Sequence, residues 1–369
     1  STFEKSTRWI IACILFVTIV VYWPSLHNGF VWDDEFYVLK NHLLANFNLR
    51  DIFTKPIAGN YHPLTILILA IEFKIFGLNE MAYHVVNLVL HLMNTMLVYY
   101  FILVLSQKKE VALVVMLLFG VHPLHVESVA WVSEIKDLLY TLFFMLALIC
   151  YLKFINELNR KYLFLTGLFF ICSLLSKAMA ASLPLVLVLI DYYVGKKLNL
   201  RSMMEKLPFF VFSLFFGGLA IYIQSSFGAT QSIYFPIWQR LIFAMQGFVT
   251  YLLKLLWPIN LSAFYPYPIS NGEAMPAFNY LYVIIFFGMI GWVIYALRFS
   301  TKLLFGLGFF MITLFLVLQI LPVGTAMMAD RYSYIPSIGI FFLAGELVSF
   351  LMLKNNKSLA VLTFSCFAF

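Results

Sequence analysis

The sequence predicts an all-α polytopic membrane protein, and three observations carry that prediction. Of the 369 residues, 63% are apolar and only 11% are charged, whereas a soluble domain is nearer half apolar and a quarter charged. The mean hydropathy is +0.93. Runs of 17 or more residues with almost no charge recur along the chain. Each is long enough, as a helix, to cross about 30 Å of hydrocarbon.

The runs place spans at 8–24, 83–105, 111–121, 138–154, 162–176, 182–194, 207–224, 278–298, 303–321, 337–353 and from 358 onward, about 11 in all. Alternate connections carry the basic residues: QKKE, KFINELNRK, GKKLNLRSMMEK, RFSTK and KNNK. With Lys5 and Arg8 they hold 15 of the 24 Lys+Arg but four of the 17 acids. Basic residues collect on the cytoplasmic side, so segments 25–82, 122–137, 177–181, 225–277 and 322–336 fall on the opposite face. The stretch WQRLIFAMQGFVTYLLKLLWP (238–258) is apolar enough to cross, but a crossing there inverts everything after it. It reads instead as an interfacial or re-entrant helix with Arg240 and Lys254 snorkelling. LTILILAIEFKIFG (64–77), with Glu72 and Lys74 inside it, reads as a helix along the membrane surface. Segment 25–82 is then a folded lid.

Several function classes lose support. The net charge of +7 reflects the cytoplasmic loops, so nucleic acid is not an expected partner. Cys13, Cys150, Cys172 and Cys366 all lie in apolar runs without a CxxC, which excludes a disulfide framework. The first run lacks an A-x-A-like cleavage site and leads into Trp23-Pro24, so it reads as a span.

The chemistry must lie among the outer-face polar residues. Asp33, Asp34 and Glu35 stand together where the first apolar run ends. A carboxylate at the bilayer centre costs about 2.5–3.5 kcal/mol, so these three belong at or beyond the interface. Further clusters are NYHPLT (60–65), HPLHVESVAWVSEIKD (122–137), SKAMA (176–180) and ADRYSYIPS (329–337). Singly, each has a plain structural reading. Asp caps helices, His62 and His122 precede prolines, Lys177 can snorkel, and Arg331 can pair with Asp330. His122, His125 and Glu127 match no strong zinc spacing, so no metal site and no cofactor are expected, although a divalent metal is left open. Together, an acidic centre and several cations on one face suit a substrate that is both anionic and lipid-borne, such as a lipid-linked phosphosugar. Sugar transfer needs a base for the acceptor hydroxyl and positive groups where charge grows on the leaving phosphate.

GFVWDDEFYVLKN (29–41), YHPLT, YHVVNLVLHLMNTMLVY (83–99), HPLHVESVAWVSEIKDLLYTLFFMLALICYL (122–152), LLSKAM and ADRYSYIPSIG (329–339) resemble, in that order, the membrane core of one family. It is the transmembrane and tetratricopeptide-repeat-containing protein O-mannosyltransferases and their bacterial relatives, of the GT-C class. The resemblance covers roughly residues 25–345. It implies a GT-C fold and inverting transfer of a hexose, typically mannose, from a polyprenyl- or dolichyl-phosphate donor to Ser/Thr hydroxyls of proteins. It places the catalytic base at Asp33 or Asp34, with Asp34 favoured because Asp34-Glu35 also resembles the Asp-Glu pair of other protein O-mannosyltransferases. His62, His122, His125, Lys136, Lys177 and Arg331 become candidates for the donor phosphate and sugar, with Glu35, Glu127 and Asp137 in support. Departures are Ile135-Lys136, where animal members read Arg-Ala before the shared Asp-Leu-Leu, and Ala178 where they carry a Glu. Tetratricopeptide repeats are not present in residues 1–369. HPLHVESVAW followed by KDLL is closer to the bacterial members, which implies an inner membrane with a periplasmic site, or a lumenal endoplasmic reticulum site in a eukaryote. Two competing classes are a transporter or flippase, for which Glu346 is the main intramembrane acid, and a membrane anchor that presents partner-binding repeats.

Overall fold

The computed structural model describes residues 2–228, 235–270, 272–296, 298, 300–320 and 326–354. Helices dominate because a chain in lipid must satisfy its backbone polar groups within each segment. In order they are α1 (Thr2–Tyr22), α2 (His42–Asn46), α3 (Leu49–Thr54), α4 (Pro63–Phe76), α5 (Glu80–Ser106), α6 (Lys109–Val121), α7 (Val126–Ala130) and α8 (Ile135–Glu157). Then follow α9 (Arg160–Ser176), α10 (Leu183–Tyr193), α11 (Leu200–Ser226), α12 (Ile237–Leu256), α13 (Asn279–Ala296), α14 (Thr301–Leu314) and α15 (Ser337–Leu353). Two short strands, β1 (Tyr265–Pro266) and β2 (Ala326–Met328), pair antiparallel.

Local sequence starts many of these helices. Asn41, Asn48, Asn79, Asn159, Asn199 and Ser300 each accept a backbone N–H from the first turn that follows, satisfying donors that a helix start leaves free. Pro63 and Pro123 open the segments after His62 and His122, where a missing N–H is harmless.

Five helices among the described residues are long and apolar enough to cross a membrane: Ser6–His27, Glu80–Ser106, Val132–Glu157, Leu200–Ser226 and Asn279–Ala296. Lys109–Val121 and Pro123–Ala130 form a sixth only as a pair bent by 53°. Ala178–Tyr193, Thr301–Val317 and Ser337–Leu353 are apolar but shorter. The expected 111–121 span is thus half of a broken one: the 13 residues of α6 rise only about 20 Å before His122-Pro123 ends the helix. Segment 238–258 forms α12, an amphipathic helix that is not among the spans. The run from 358 lies outside the described residues.

At the centre stands α8, buried on nearly every face and packed against α5 and α9. α6 and α14 both pack on α15. α11 and α13 keep most of their apolar surface outward, as lipid-facing helices do. Two ionic knots tie helix ends away from the acidic loop. Asp191 accepts from Tyr151 Oη at 2.7 Å and Ser202 Oγ at 2.8 Å and pairs with buried Lys206. Glu346 pairs with Lys108 at 2.9 Å and Lys302 at 2.6 Å. The acid that stood out within an apolar run is therefore neutralised by two helix starts.

Candidate active site

The site begins where α1 ends. Pro24 opens a 3-10 turn (Trp23–His27), and the chain reaches Trp32 with φ of 47°, the left-handed region. This turn is closed by Asp34: its Oδ2 accepts the Val31 N–H at 2.9 Å and its Oδ1 accepts the Ser133 N–H at 2.7 Å. Trp131 Nε1 donates to Val31 O at 3.2 Å, so residues 31–34 are clamped to 131–133 from both sides. Asp34 is fully buried, and burial raises its pKa despite the two backbone donors and nearby Lys136. Asp33 is half-buried and lies near enough to Lys136 and Tyr37 to bias both electrostatically. The accessible carboxylate is that of Asp33, whereas Asp34 serves as the clamp. Glu35, expected to support the site, is exposed at the start of the π turn Glu35–Leu39 and pairs with Lys40.

Three cations converge from three segments. Lys136 sits in the first turn of α8, Lys177 just past α9, and Arg331 in the 3-10 turn Asp330–Ser333. Each has its own acid. Lys177 pairs with Asp137, which also accepts from Ser128 Oγ at 3.3 Å. The Arg331 guanidinium pairs with Glu127, whose other oxygen accepts the Arg331 backbone N–H at 2.8 Å. Lys136 lies 3.0 Å from Glu134. Aromatic faces wall the cations: Lys136 is over Tyr37 (4.6 Å) and Trp131 (5.9 Å), Arg331 over Trp131 (5.5 Å) and Tyr332 (4.8 Å), and Lys177 over Tyr140 (5.9 Å) and Tyr332 (5.7 Å). Such walls attract a cation through the ring quadrupole and keep water away from it.

His62 joins this group. It is buried, and its pKa is pushed down to about 3, first by burial and then by Lys136 and Lys177. The ring is therefore neutral, and its Nδ1 has no hydrogen-bond partner. His122 and His125, also expected to bind donor, are engaged with other groups. His122 accepts the Leu124 N–H on Nδ1 and meets Leu255 O with Nε2 at 3.3 Å. His125 meets Phe119 O at 2.8 Å and Ser337 Oγ at 3.1 Å. His125 thus serves a carbonyl in the last turn of α6 and His122 one in the last turn of α12, where helix ends leave carbonyls without helical partners. Among the described residues no three His, Cys, Asp or Glu side chains are grouped to hold a metal ion.

Two features escaped sequence reasoning. Glu134, unremarkable in VSEIKD, is fully buried at the centre of the three cations. The other is a polar stripe on α5. His84 Nε2 meets Asn28 O at 3.0 Å, Asn87 donates to Trp131 O at 3.0 Å, His91 meets Gly120 O at 3.0 Å, and Asn94 donates to Leu138 O at 3.0 Å. Spacings of three and four on an apolar helix mark one face. On it His84 and Asn87 hold the non-helical residues Asn28 and Trp131 beside the site, and His91 and Asn94 meet carbonyls of α6 and α8.

A carboxylate such as Asp33 can take a proton from a hydroxyl, and desolvated cations can neutralise a leaving phosphate. The solved-structure comparison agrees in architecture. The Archaeoglobus fulgidus oligosaccharyltransferase, tethered with an acceptor peptide, superposes with a TM-score of 0.53 at 11% identity, over 99% of this chain and 55% of that one. The fold is of the GT-C class.

In sequence, a family model described as dolichyl-phosphate-mannose-protein mannosyltransferase matches residues 55–223. That range holds His62, Glu127, Glu134, Lys136, Asp137 and Lys177. Protein O-mannosyl-transferase Tmtc1 of Drosophila melanogaster is 31% identical over 47% of this chain and 22% of its own length. Protein O-mannosyl-transferase TMTC3 of Mus musculus is 31% identical over 39% of this chain and 17% of its own length. Both are similar to this chain over less than half of its length, and the match spans under a quarter of each relative.

Proposed function

We propose that this protein is a glycosyltransferase that moves a hexose, typically mannose, from a polyprenyl-phosphate donor to Ser or Thr hydroxyls of extracytoplasmic proteins, with inversion. One observation carries the reading: the cations Lys136, Lys177 and Arg331, from three distant segments, gather around Glu134, and Asp33 of the first loop lies near enough to Lys136 to bias it. The similarity to protein O-mannosyl-transferases supports the sugar and the acceptor. In this reading Asp33 accepts the proton of the acceptor hydroxyl as its oxygen attacks the anomeric carbon. The bond to phosphate breaks on the opposite face, and the cations take up the charge on the departing phosphate. Neutral His62 and the face of Trp32 flank the sugar. The site opens on the periplasmic face of a bacterial inner membrane.

The test is incubation of the purified protein with polyprenyl-phosphate-mannose and a Ser/Thr peptide, with and without a chelator. Mannosylated peptide is the expected product. Its absence with an intact, donor-binding protein, across mannose and glucose donors, overturns the proposal.

A further inference from the structure

Charge balance around Glu134 bears on how an anion enters this site; the inference rests on the lipid-phosphosugar reading above. Lys136, Lys177 and Arg331 bring three positive charges, and Glu127, Glu134 and Asp137 bring three negative ones, all buried or nearly so. Asp33 and Asp34 add further negative charge at the edge. The site is therefore already neutralised by its own carboxylates. A phosphate that enters without a change among them meets no net attraction, and it must also shed its hydration.

One of the three acids is held differently from the others. Glu127 receives two donors from Arg331, one backbone and one guanidinium. Asp137 receives Lys177 and the Ser128 hydroxyl. Glu134 alone touches all three cations: Lys136 Nζ at 3.0 Å, Arg331 Nε at 3.4 Å and Lys177 Nζ at 3.6 Å. Yet neither of its oxygens accepts a hydrogen bond of ordinary geometry. Three cations from separate segments around two planar oxygens form the arrangement that an oxyanion of phosphate would seek. Glu134 also sits in the short 3-10 turn Val132–Glu134, where a side chain can swing without unwinding α8.

We propose that the Glu134 carboxylate holds the position of the substrate phosphate, and that phosphate binds by displacing it from Lys136, Lys177 and Arg331. Glu134 is then an internal counter-ion. It keeps three desolvated cations in place between turnovers, and it sets the affinity for donor and for the polyprenyl-phosphate product by competing with both. A competitor tethered beside the site also favours product release, because it replaces the phosphate that leaves.

The experiment compares the full chain in detergent with Glu134→Gln and Glu134→Asp. Binding of inorganic phosphate, of citronellyl phosphate and of citronellol is measured by ligand-dependent thermal stabilisation and by calorimetry. The expected result is that Glu134→Gln binds both phosphates at least tenfold more tightly than the wild type, with Glu134→Asp in between, while citronellol shows no difference. Without ligand, Glu134→Gln melts lower than wild type, and phosphate restores it. A larger gain for citronellyl phosphate than for inorganic phosphate assigns the site to a lipid headgroup, and an equal gain assigns it to the phosphate alone; both support displacement. Equal or weaker phosphate binding in Glu134→Gln overturns the inference, and if that variant does not fold, a wild-type affinity in Glu134→Asp does so. Failure here with intact sugar transfer leaves the transferase reading standing. Tighter phosphate binding without any transfer leaves this inference standing and removes that reading.

Discussion

The carboxylate of Asp34 accepts a 2.7 Å hydrogen bond from the backbone N–H of Ser133, which lies 99 positions further along the chain. With the Val31 N–H on its other oxygen, Asp34 fixes the acidic loop to the segment that leads into α8. Two adjacent acids thus have separate tasks. Asp33→Asn should leave the melting temperature unchanged and lower transfer by about 10²–10⁴-fold, the range for loss of a positioned base. Asp34→Asn should also lose transfer, but through structure. The amide must point its NH₂ at one of the two backbone donors, and an unpaired buried donor costs about 1–3 kcal/mol. Transfer assays paired with thermal melts separate the two, and a fully active Asp33→Asn would refute the base assignment.

His62 gives the site a pH signature. Its folded-state pKa is held at about 3 against an ordinary value of 6.5, by burial first and then by Lys136 and Lys177. Between those values the unfolded chain binds a proton that the folded chain refuses. Stability therefore falls as pH drops from 6.5 toward 3, with a slope of up to about 1.4 kcal/mol per pH unit from this residue. His62→Gln should flatten the melting temperature across that window and leave it unchanged above pH 7. An identical pH profile in the variant would show that the ring is not the titrating group.

How much of this was legible in the sequence follows from what each residue does. Membrane helices are legible because lipid demands long apolar runs, and α5, α8, α11 and α13 lie on the expected ones. The 111–121 run misleads because a helix and a half-helix have the same composition. Of the gathered residues, the Asp33-Asp34 pair, Lys136, Lys177 and Arg331 stood out in the sequence, since charge in so apolar a chain must have a reason. The resemblance favoured Asp34 as the base, and only the fold shows Asp34 buried as a clamp with Asp33 more accessible. His122 and His125 read as donor ligands, and the fold sets them against the Leu255 and Phe119 carbonyls, partners that a motif, which shows residue type only, does not reveal. Glu134 was invisible for the converse reason. A lone Glu before a helix is ordinary, and only the fold shows three cations around it.

Gly306 and Gly339 let α14 and α15 touch. A Cβ on Gly339 would lie 2.9 Å from the Phe310 backbone nitrogen and closer still to the Gly306 carbonyl. Membrane helices approach through such small residues. Gly339→Ala should push the pair apart and cost about 1–3 kcal/mol, as overpacking does. It should reduce transfer as well, because α15 follows directly on the turn that holds Arg331. Gly217→Ala in α11 is the control: nothing lies within 4 Å of its Cβ position, so it should be neutral or slightly stabilising. Equal effects of the two substitutions, by thermal melting, would contradict the close crossing.

Lys177 and Asp137 form the pair most sensitive to removal of one partner. Both side chains are almost wholly buried, 9% and 1% exposed, and they are in direct contact. Lys177→Met leaves Asp137 with only the Ser128 hydroxyl and withdraws one of the three cations around Glu134. Breaking a buried pair on one side costs about 3–5 kcal/mol. Asp137→Asn alone should cost less, since Lys177 keeps Glu134 at 3.6 Å. The double substitution removes charge from both sides, so it should be more stable than Lys177→Met by a coupling of about 0.5–3 kcal/mol. Neither single variant nor the double should transfer sugar, because each changes the charge that meets the leaving phosphate. Melting of the four proteins in one detergent measures the cycle. Additive losses would mean that the two charges do not see one another, and that Lys177 is held by Glu134 instead.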